Sequence, residues 1–357
     1  MHFYESMIMY TADGLQVKSY ANQHPEGFVI AKPKYIPTTK IRSEKLQIRQ
    51  LDGKEVNRLD YWIDDKELER YINEFKKTYP DYIYDCDLYN TWFFGVPKDK
   101  ITFLGNPKKG TKELLAKDKN EMDKYQTITK ELVEFLSGSG VSTEKIGLTN
   151  STLLGNYTYG RSDIDLIVFG KDNFWKTINY LKEAKHPMLK WRDYAAWQKY
   201  YASYNTGLNF TEEEFIRHAQ RKVADGFFDG TVFSIFGVEE ENEATFEWGK
   251  EKYERIGMAT IKGTVTDNYN ASVRPACYEI ENASIVDGPE IKGEIRQVVS
   301  FARDFLMQAY PKENLAARGI LEKVIPANGD EEYYRIAIGY FDSYISRKGE
   351  EFIKVKL

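Results

Sequence analysis

The 357-residue chain is 42% apolar, 29% charged and 15% aromatic, which excludes a disordered polymer and suits roughly two or three domains, each with its own core. A formal net charge of -5 provides no global basic field for nucleic acid, though a local basic face is compatible with it. No run approaches the roughly 20 apolar residues of a membrane span. The start, residues 1–12, carries Glu5 and has neither a basic lead-in nor a cleavage-site pattern, so no signal peptide is expected. Cys86 and Cys277 lie far apart with no histidine at ligand spacing, and read as buried thiols. These features predict a cytoplasmic protein with no membrane partner.

In chain order, residues 1–110 read as a β-rich domain. Its candidate strands are Gly27 to Ala31, Tyr82 to Tyr84 and Thr91 to Val96, punctuated by prolines. A helix from Asp64 to Lys77 interrupts them, with Leu68, Tyr71, Ile72 and Phe75 on one face. The stretch Gly105 to Gly110 reads as a linker. Residues 111–244 change texture. A long helix is expected from Lys112 to Leu136, stopped by the glycines that follow. Then come a strand at Lys145 to Thr149, a polar turn, a strand at Asp163 to Phe169 and a helix at Asn173 to Ala184. A second helix, Thr211 to Ala224, has Thr211 as its cap and Glu214 three residues on. A strand from Thr231 to Val238 closes this zone. Residues 245–357 return to strands, among them Ala259 to Val265 and Tyr333 to Gly339. Periodicity does not decide between helix and strand for Val298 to Ala309. No repeat has a fixed period. The expected class is α/β (α+β), a central mixed sheet with helices flanked by two β-rich domains.

The chemistry concentrates between Gly147 and Gly170. A strand end leads to Asn150, Ser151 and a turn at Gly155, and then to Ser162, Asp163 and Asp165 at the start of an apolar strand. Residues i and i+2 of a strand share a face, so the two aspartates converge beside the turn. Carboxylates so close repel unless a divalent cation neutralises them, and Mg²⁺ takes one or two carboxylates plus substrate phosphates. Ser151 and the backbone near Gly155 are candidates to hold phosphate oxygens.

These residues resemble the signature of the DNA polymerase β-like nucleotidyltransferase superfamily: a serine, a glycine four residues later, then Ser-Asp-x-Asp. Ser151, Gly155, Ser162, Asp163 and Asp165 stand in those places. The whole chain is also similar to uncharacterised predicted nucleotidyltransferases of archaea. The resemblance implies transfer of a nucleoside monophosphate from a nucleoside triphosphate to an acceptor hydroxyl, with pyrophosphate leaving. It implies Asp163 and Asp165 as metal ligands for Mg²⁺ (Mn²⁺ as the alternative), and Asn150, Ser151, Gly155 and Ser162 as the nucleotide-binding group. The acceptor is left open between RNA, DNA, protein and a small molecule, with the large flanking β domains favouring a macromolecule. Two departures stand out. Asn150 occupies the family's glycine position before the serine. The strand Thr231 to Val238, where the family's third carboxylate is expected, has Ser234 at its centre, leaving Asp229 before it or Glu239 after it as substitutes; Asp229 is taken as the third catalytic acid. The alternative reading is a catalytically degenerate protein of this fold that binds nucleotide or nucleic acid.

Other features have plainer readings beside the functional ones. Between Lys171 and Lys199, basic residues interleave with Trp175, Tyr180, Trp191, Tyr194 and Trp197, as in a stacking wall for bases or in amphipathic helices with core aromatics. Arg217, His218, Arg221 and Lys222 form a helical stripe that fits either triphosphate or a solvated face. His186 and His218 have no partner at ligand spacing, and no P-loop, nucleophile elbow or zinc-protease motif occurs.

Overall fold

The computed structural model describes residues 2–51, 53–59, 65–203, 209–342 and 350–356. Among the described residues the fold is α+β, with three mostly antiparallel sheets and seven helices. The first sheet holds β1 (Ile8–Thr11), β2 (Gln16–Ser19), β3 (Phe28–Pro37), β4 (Gln47–Leu51), β5 (Lys54–Arg58), β6 (Ile83–Cys86), β7 (Thr91–Pro97) and β8 (Ile101–Leu104), with helix α1 (Asp65–Thr78) between β5 and β6. The expected start of that helix at Asp64 lies outside the described residues. The face of α1 predicted from spacing is the buried one, with Leu68, Tyr71, Ile72 and Phe75 all within the core. Strand β3 is long enough to serve two neighbours in turn, pairing through Phe28 with β7 and through Tyr35 with β5.

The second sheet follows α2 (Pro107–Ala116) and α3 (Lys124–Ser137). The expected linker and single long helix are replaced by these two. Asn106 caps α2 by accepting from the Lys109 amide at 3.0 Å, with Pro107 at the first turn. Asp123 and Gln126 form a capping box that restarts the chain as α3. Next come β9 (Ile146–Leu148), α4 (Asn150–Leu154), β10 (Ile164–Phe169), α5 (Lys171–Glu183), β11 (Leu189–Lys190), α6 (Tyr194–Ser203), α7 (Glu212–Lys222), β12 (Asp225–Phe228) and β13 (Thr231–Val238). The order across the sheet is β11-β12-β13-β10-β9, with β10 and β13 parallel and the other pairs antiparallel. All six residues of β10 are buried. Leu166 and Val168 join the core with α3 and α5, whereas Ile167 and Phe169 face a smaller cluster with Tyr4, Phe236 and Val238. A strand covered on both faces reads as a continuous apolar run.

The third sheet contains β14 (Glu251–Asp267), β15 (Ala276–Asp287), β16 (Ile295–Ser300), β17 (Asn314–Pro326), β18 (Tyr333–Ile338) and β19 (Phe352–Val355). It closes into a barrel because β17 pairs with β18 on one side and along its length with β14 on the other. The undecided segment Val298 to Ala309 is the end of β16 followed by a single 3₁₀ turn at Arg303–Phe305. The barrel and the first sheet share one core. Tyr20 and Tyr89 pack on Phe341 and Tyr253, with ring centroids 4.5 and 4.6 Å apart. No helix among the described residues is long and apolar enough to cross a membrane.

Candidate functional site

The turn from β9 into α4 fixes the first part of the site. Asn150 opens α4 in a left-handed conformation, φ 51°, and Gly155 ends it at φ 70°, an angle that asparagine tolerates and glycine adopts freely. The backbone of the acidic pair is held from this side. The Asp165 amide donates to Thr152 Oγ1 at 3.2 Å, and the Asp165 carbonyl accepts from the Thr149 amide at 3.1 Å. Tyr125, stacked on Tyr157 with centroids 4.0 Å apart, donates its hydroxyl to the Asp163 carbonyl at 2.8 Å.

Asp163 is exposed and Asp165 buried. Burial, reinforced by the Asp163 charge, pushes the Asp165 carboxyl up to about 6 even though Lys18, Lys34 and a hydrogen bond from Asn150 pull the other way. The two aspartates interact electrostatically, although β10 begins at Ile164 and Asp163 stands just before it rather than within the strand. Lys18 on β2 and Lys34 on β3 reach in from the first sheet and donate to Asn150 Oδ1 at 3.3 and 3.2 Å. Burial lowers Lys34 to about 8 against the attraction of Asp165. Arg303 comes from the barrel side, its guanidinium 3.7 Å from the centre of the Phe236 ring, and Asp165 contributes to its electrostatic surroundings. Its own anchor is Glu5, which it meets at 2.9 Å. The aspartates thus stand at a seam of all three sheets, with three basic side chains around them, of which Lys18 is held well below the usual lysine range by burial and by Arg303 and Lys34.

A third carboxylate is present where the sequence reading did not seek it. Asp165 stands beside Ser234 in the parallel pairing of β10 with β13, and Ser234 stands opposite Asp225 in the antiparallel pairing with β12. Asp165, Ser234 and Asp225 therefore form a row across one face of the sheet, the outer two separated by two strand spacings of about 4.8 Å each. Ser234 donates to Asp225 Oδ2 at 3.1 Å, and Arg192 pairs with Oδ1 at 2.5 Å. Burial raises the Asp225 carboxyl, Arg192 and Ser234 oppose this, and the Asp163 charge adds to the rise. A signal for this register was available. Asp229-Gly230 between Phe228 and Thr231 is a strong two-residue hairpin turn, both residues have positive φ, and counting back from that turn sets Asp225 against Ser234.

The other predicted residues fall as follows. Asp229 lies in that hairpin turn and pairs with Lys124 at 2.5 Å, outside the row, so Asp225 replaces it as the candidate third acid. Glu239 is buried against Lys171 and Thr245, and is a structural partner rather than a site residue. Ser162 accepts from the Thr158 amide at 2.9 Å and closes the polar turn. Ser151 is partly exposed on α4. The stripe on α7 divides among partners: Arg217 pairs with Glu213, Arg221 with Glu313, and Lys222 with the Asp304 carbonyl. His186 stacks on Phe228. Cys86 and Cys277 are free and buried.

Among the described residues no three His, Cys, Asp or Glu side chains gather as a metal-binding group. Two hard oxygen donors remain, Asp163 and Asp165, a set that fits one Mg²⁺ whose remaining ligands are phosphate and water. Chemically, the seam can hold an anionic phosphate chain through its cations and a divalent ion through its carboxylates.

Over 345 residues the chain is 28% identical to an uncharacterized protein of Methanocaldococcus jannaschii, a match covering 95% of this chain and 97% of that one. No family model matches the chain, and no solved structure matches it significantly.

Proposed function

We propose that this protein is a metal-dependent nucleotidyltransferase that moves a nucleoside monophosphate from a nucleoside triphosphate to an acceptor hydroxyl, in the cytoplasm. The observation that carries the reading is Asp165: a buried carboxyl with a raised pKa, beside a second carboxylate and facing Lys18 and Lys34 from another sheet. Such a carboxyl is unfavourable alone and is relieved by a bound divalent cation carrying phosphate. Asp163 and Asp165 would hold Mg²⁺ or Mn²⁺, which supplies charge neutralisation and phosphoryl polarisation when bound. Lys34 and Arg303 would grip the triphosphate oxygens by charge-assisted hydrogen bonds, with Lys18, which burial and the neighbouring Arg303 and Lys34 hold well below the usual lysine range, as a further donor. The acceptor oxygen attacks the α-phosphorus, the bond to pyrophosphate breaks, and the hydroxyl proton passes to Asp225. A carboxyl raised by burial is a better base than an exposed one.

The test is calorimetric titration with each nucleoside triphosphate, in Mg²⁺ and in chelator, for wild type, Asp163→Asn and Asp165→Asn, followed by assay of pyrophosphate release. The reading expects binding that requires Mg²⁺ and is lost in both variants. Equal binding in chelator and in the variants would overturn it. One observation favours a second reading, a nucleotide- or nucleic-acid-binding protein that does not transfer: the third acid is two strands from Asp165, and no three-acid group forms among the described residues. Metal-independent binding with a steep salt dependence and no pyrophosphate release would select that alternative.

A further inference from the structure

The acidic row ends in a cavity. A pocket of about 310 Å³, lined by Asp225 and Ser234, opens between α6, α7 and the 3₁₀ turn that carries Arg303. That volume is at the lower end for small-molecule sites, which run from about 300 to 1,000 Å³, so it suits one ring-bearing ligand rather than a polymer. Its walls are aromatic: Trp197 and Tyr200 from α6, Phe215 from α7, and Phe210 and Phe236 beside them. Tyr200 and Phe215 lie nearly parallel, at 16°, and Arg192 spreads over Trp197 and Tyr200 at 5.4 and 5.3 Å.

Apolar packing alone would leave no polar demand here, yet this pocket has one. His218 and Gln308, 4% and 3% exposed and both lining it, carry Nδ1 and Oε1 atoms with no hydrogen-bond partner among the described residues. Buried polar atoms are ordinarily satisfied, and orphans call for a ligand or water. Burial holds His218 down to about 3, so its ring is neutral and offers one donor and one acceptor rather than a charge. Lys222 and Arg303 also line the pocket. Flat apolar faces, neutral hydrogen-bonding groups and basic side chains match a heteroaromatic ring bearing an anionic tail.

We infer that this pocket takes a planar heteroaromatic ring of nucleobase type, carried by one of the two substrates of the carboxylate site. The role as substrate rests on the transfer reading; occupancy of the pocket by such a ring does not. The probes are the uncharged nucleosides adenosine, guanosine, cytidine and uridine, titrated in chelator. Ala219, which lines the pocket from α7, is replaced by leucine, filling the space while keeping a good helix former. At least one nucleoside should bind wild type and Asp165→Asn alike, and bind Ala219→Leu at least ten-fold more weakly with the melting temperature kept. Far-ultraviolet circular dichroism guards against a misfolded leucine variant, because the spectrum of Ala219→Leu should match that of wild type. If no nucleoside binds, or if Ala219→Leu binds as well as wild type, the inference fails, whatever the triphosphate titration gives. Loss of Mg²⁺-dependent triphosphate binding with nucleoside binding intact would instead sink only the transfer reading. Competition between nucleoside and triphosphate identifies the ring as the donor's base, and simultaneous binding identifies it as the acceptor's.

Discussion

At the scale of single residues, the balance around Asp165 makes a prediction whose sign is opposite to that of a carboxylate held by ion pairs. Its folded pKa, about 6, is above the ordinary 3.8, so the folded protein binds more protons than the unfolded chain between those values. Its contribution to stability therefore declines as pH rises from about 4 to 6 and is most unfavourable above 6. Asp165→Asn should accordingly be stabilising at pH 7, by about 1–3 kcal/mol at most, while removing Mg²⁺-dependent nucleotide binding. Urea unfolding without metal checks the first part and calorimetry the second. Mg²⁺ with nucleotide should raise the melting temperature of wild type but not of this variant. The effect of metal should also weaken below pH 6, as Asp165 takes up its proton. A variant that unfolds more readily than wild type at pH 7 would show that Asp165 is held by pairing rather than strained by burial. The two other acids separate as well. Asp225→Asn should lower turnover about 100-fold, the ordinary contribution of a general base, and Asp229→Asn, which only loosens a surface pair with Lys124, should stay within about 3-fold on the same scale.

At the scale of elements, what could be read from the sequence follows from how local each signal is. The Asp163–Asp165 pair is legible because the Asp-x-Asp spacing and the apolar run of β10 adjoin in sequence. The caps at Thr211 and Glu214 are legible for the same reason, and both reciprocal hydrogen bonds form. The break between α2 and α3 was missed because the propensity of the residues outweighed the capping box at Asp123 and Gln126. Asp225 was missed because it enters the row only through the hairpin register, and Lys18 and Lys34 because nothing local links β2 and β3 to α4, more than a hundred residues away. These lysines support the next prediction. Lys18→Ala and Lys34→Ala should each weaken triphosphate binding about 10-fold, the scale of one charge-assisted hydrogen bond. Nucleoside binding in the aromatic pocket should be unchanged. Because burial lowers Lys34 to about 8, the affinity of wild type for triphosphate should fall as pH rises through 8, and Lys34→Arg should remove that fall. A flat affinity between pH 7 and 9 in wild type would mean that Lys34 does not touch the phosphates.

At the scale of the molecule, the site exists only while the three sheets stay docked, and one buried cluster ties the docking to the chemistry. Glu5, 2% exposed and belonging to the segment before β1, meets Arg274 at 3.0 Å and Arg303 at 2.9 Å, both from the barrel side. Its main-chain amide donates to Asn22 Oδ1, and the Asn22 side chain donates to the Arg274 carbonyl, so both ends of the contact are fixed. Burial by itself would raise the Glu5 carboxyl, but Arg303, Arg274, Lys18 and Ser6 together outweigh it and hold the group at about 2. A carboxyl depressed in the folded state contributes stability that is complete above its unfolded value of 4.5 and lost as pH falls through 2. Removing the charge strands two arginines in a low-dielectric seam. Glu5→Gln should therefore cost about 3–5 kcal/mol near neutral pH, measured by urea unfolding, and its stability should change less than that of wild type between pH 5 and 2. Arg303 loses its anchor in the same step, so the variant should also bind triphosphate more weakly under conditions where it remains folded. Double replacement of Glu5 and Arg303 by glutamine and methionine discriminates between the two effects. Stability should return in part, because only Arg274 is then left without its carboxylate, whereas triphosphate affinity should remain low. Recovery of both would mean that Arg303 secures the seam alone and has no part in holding the phosphates.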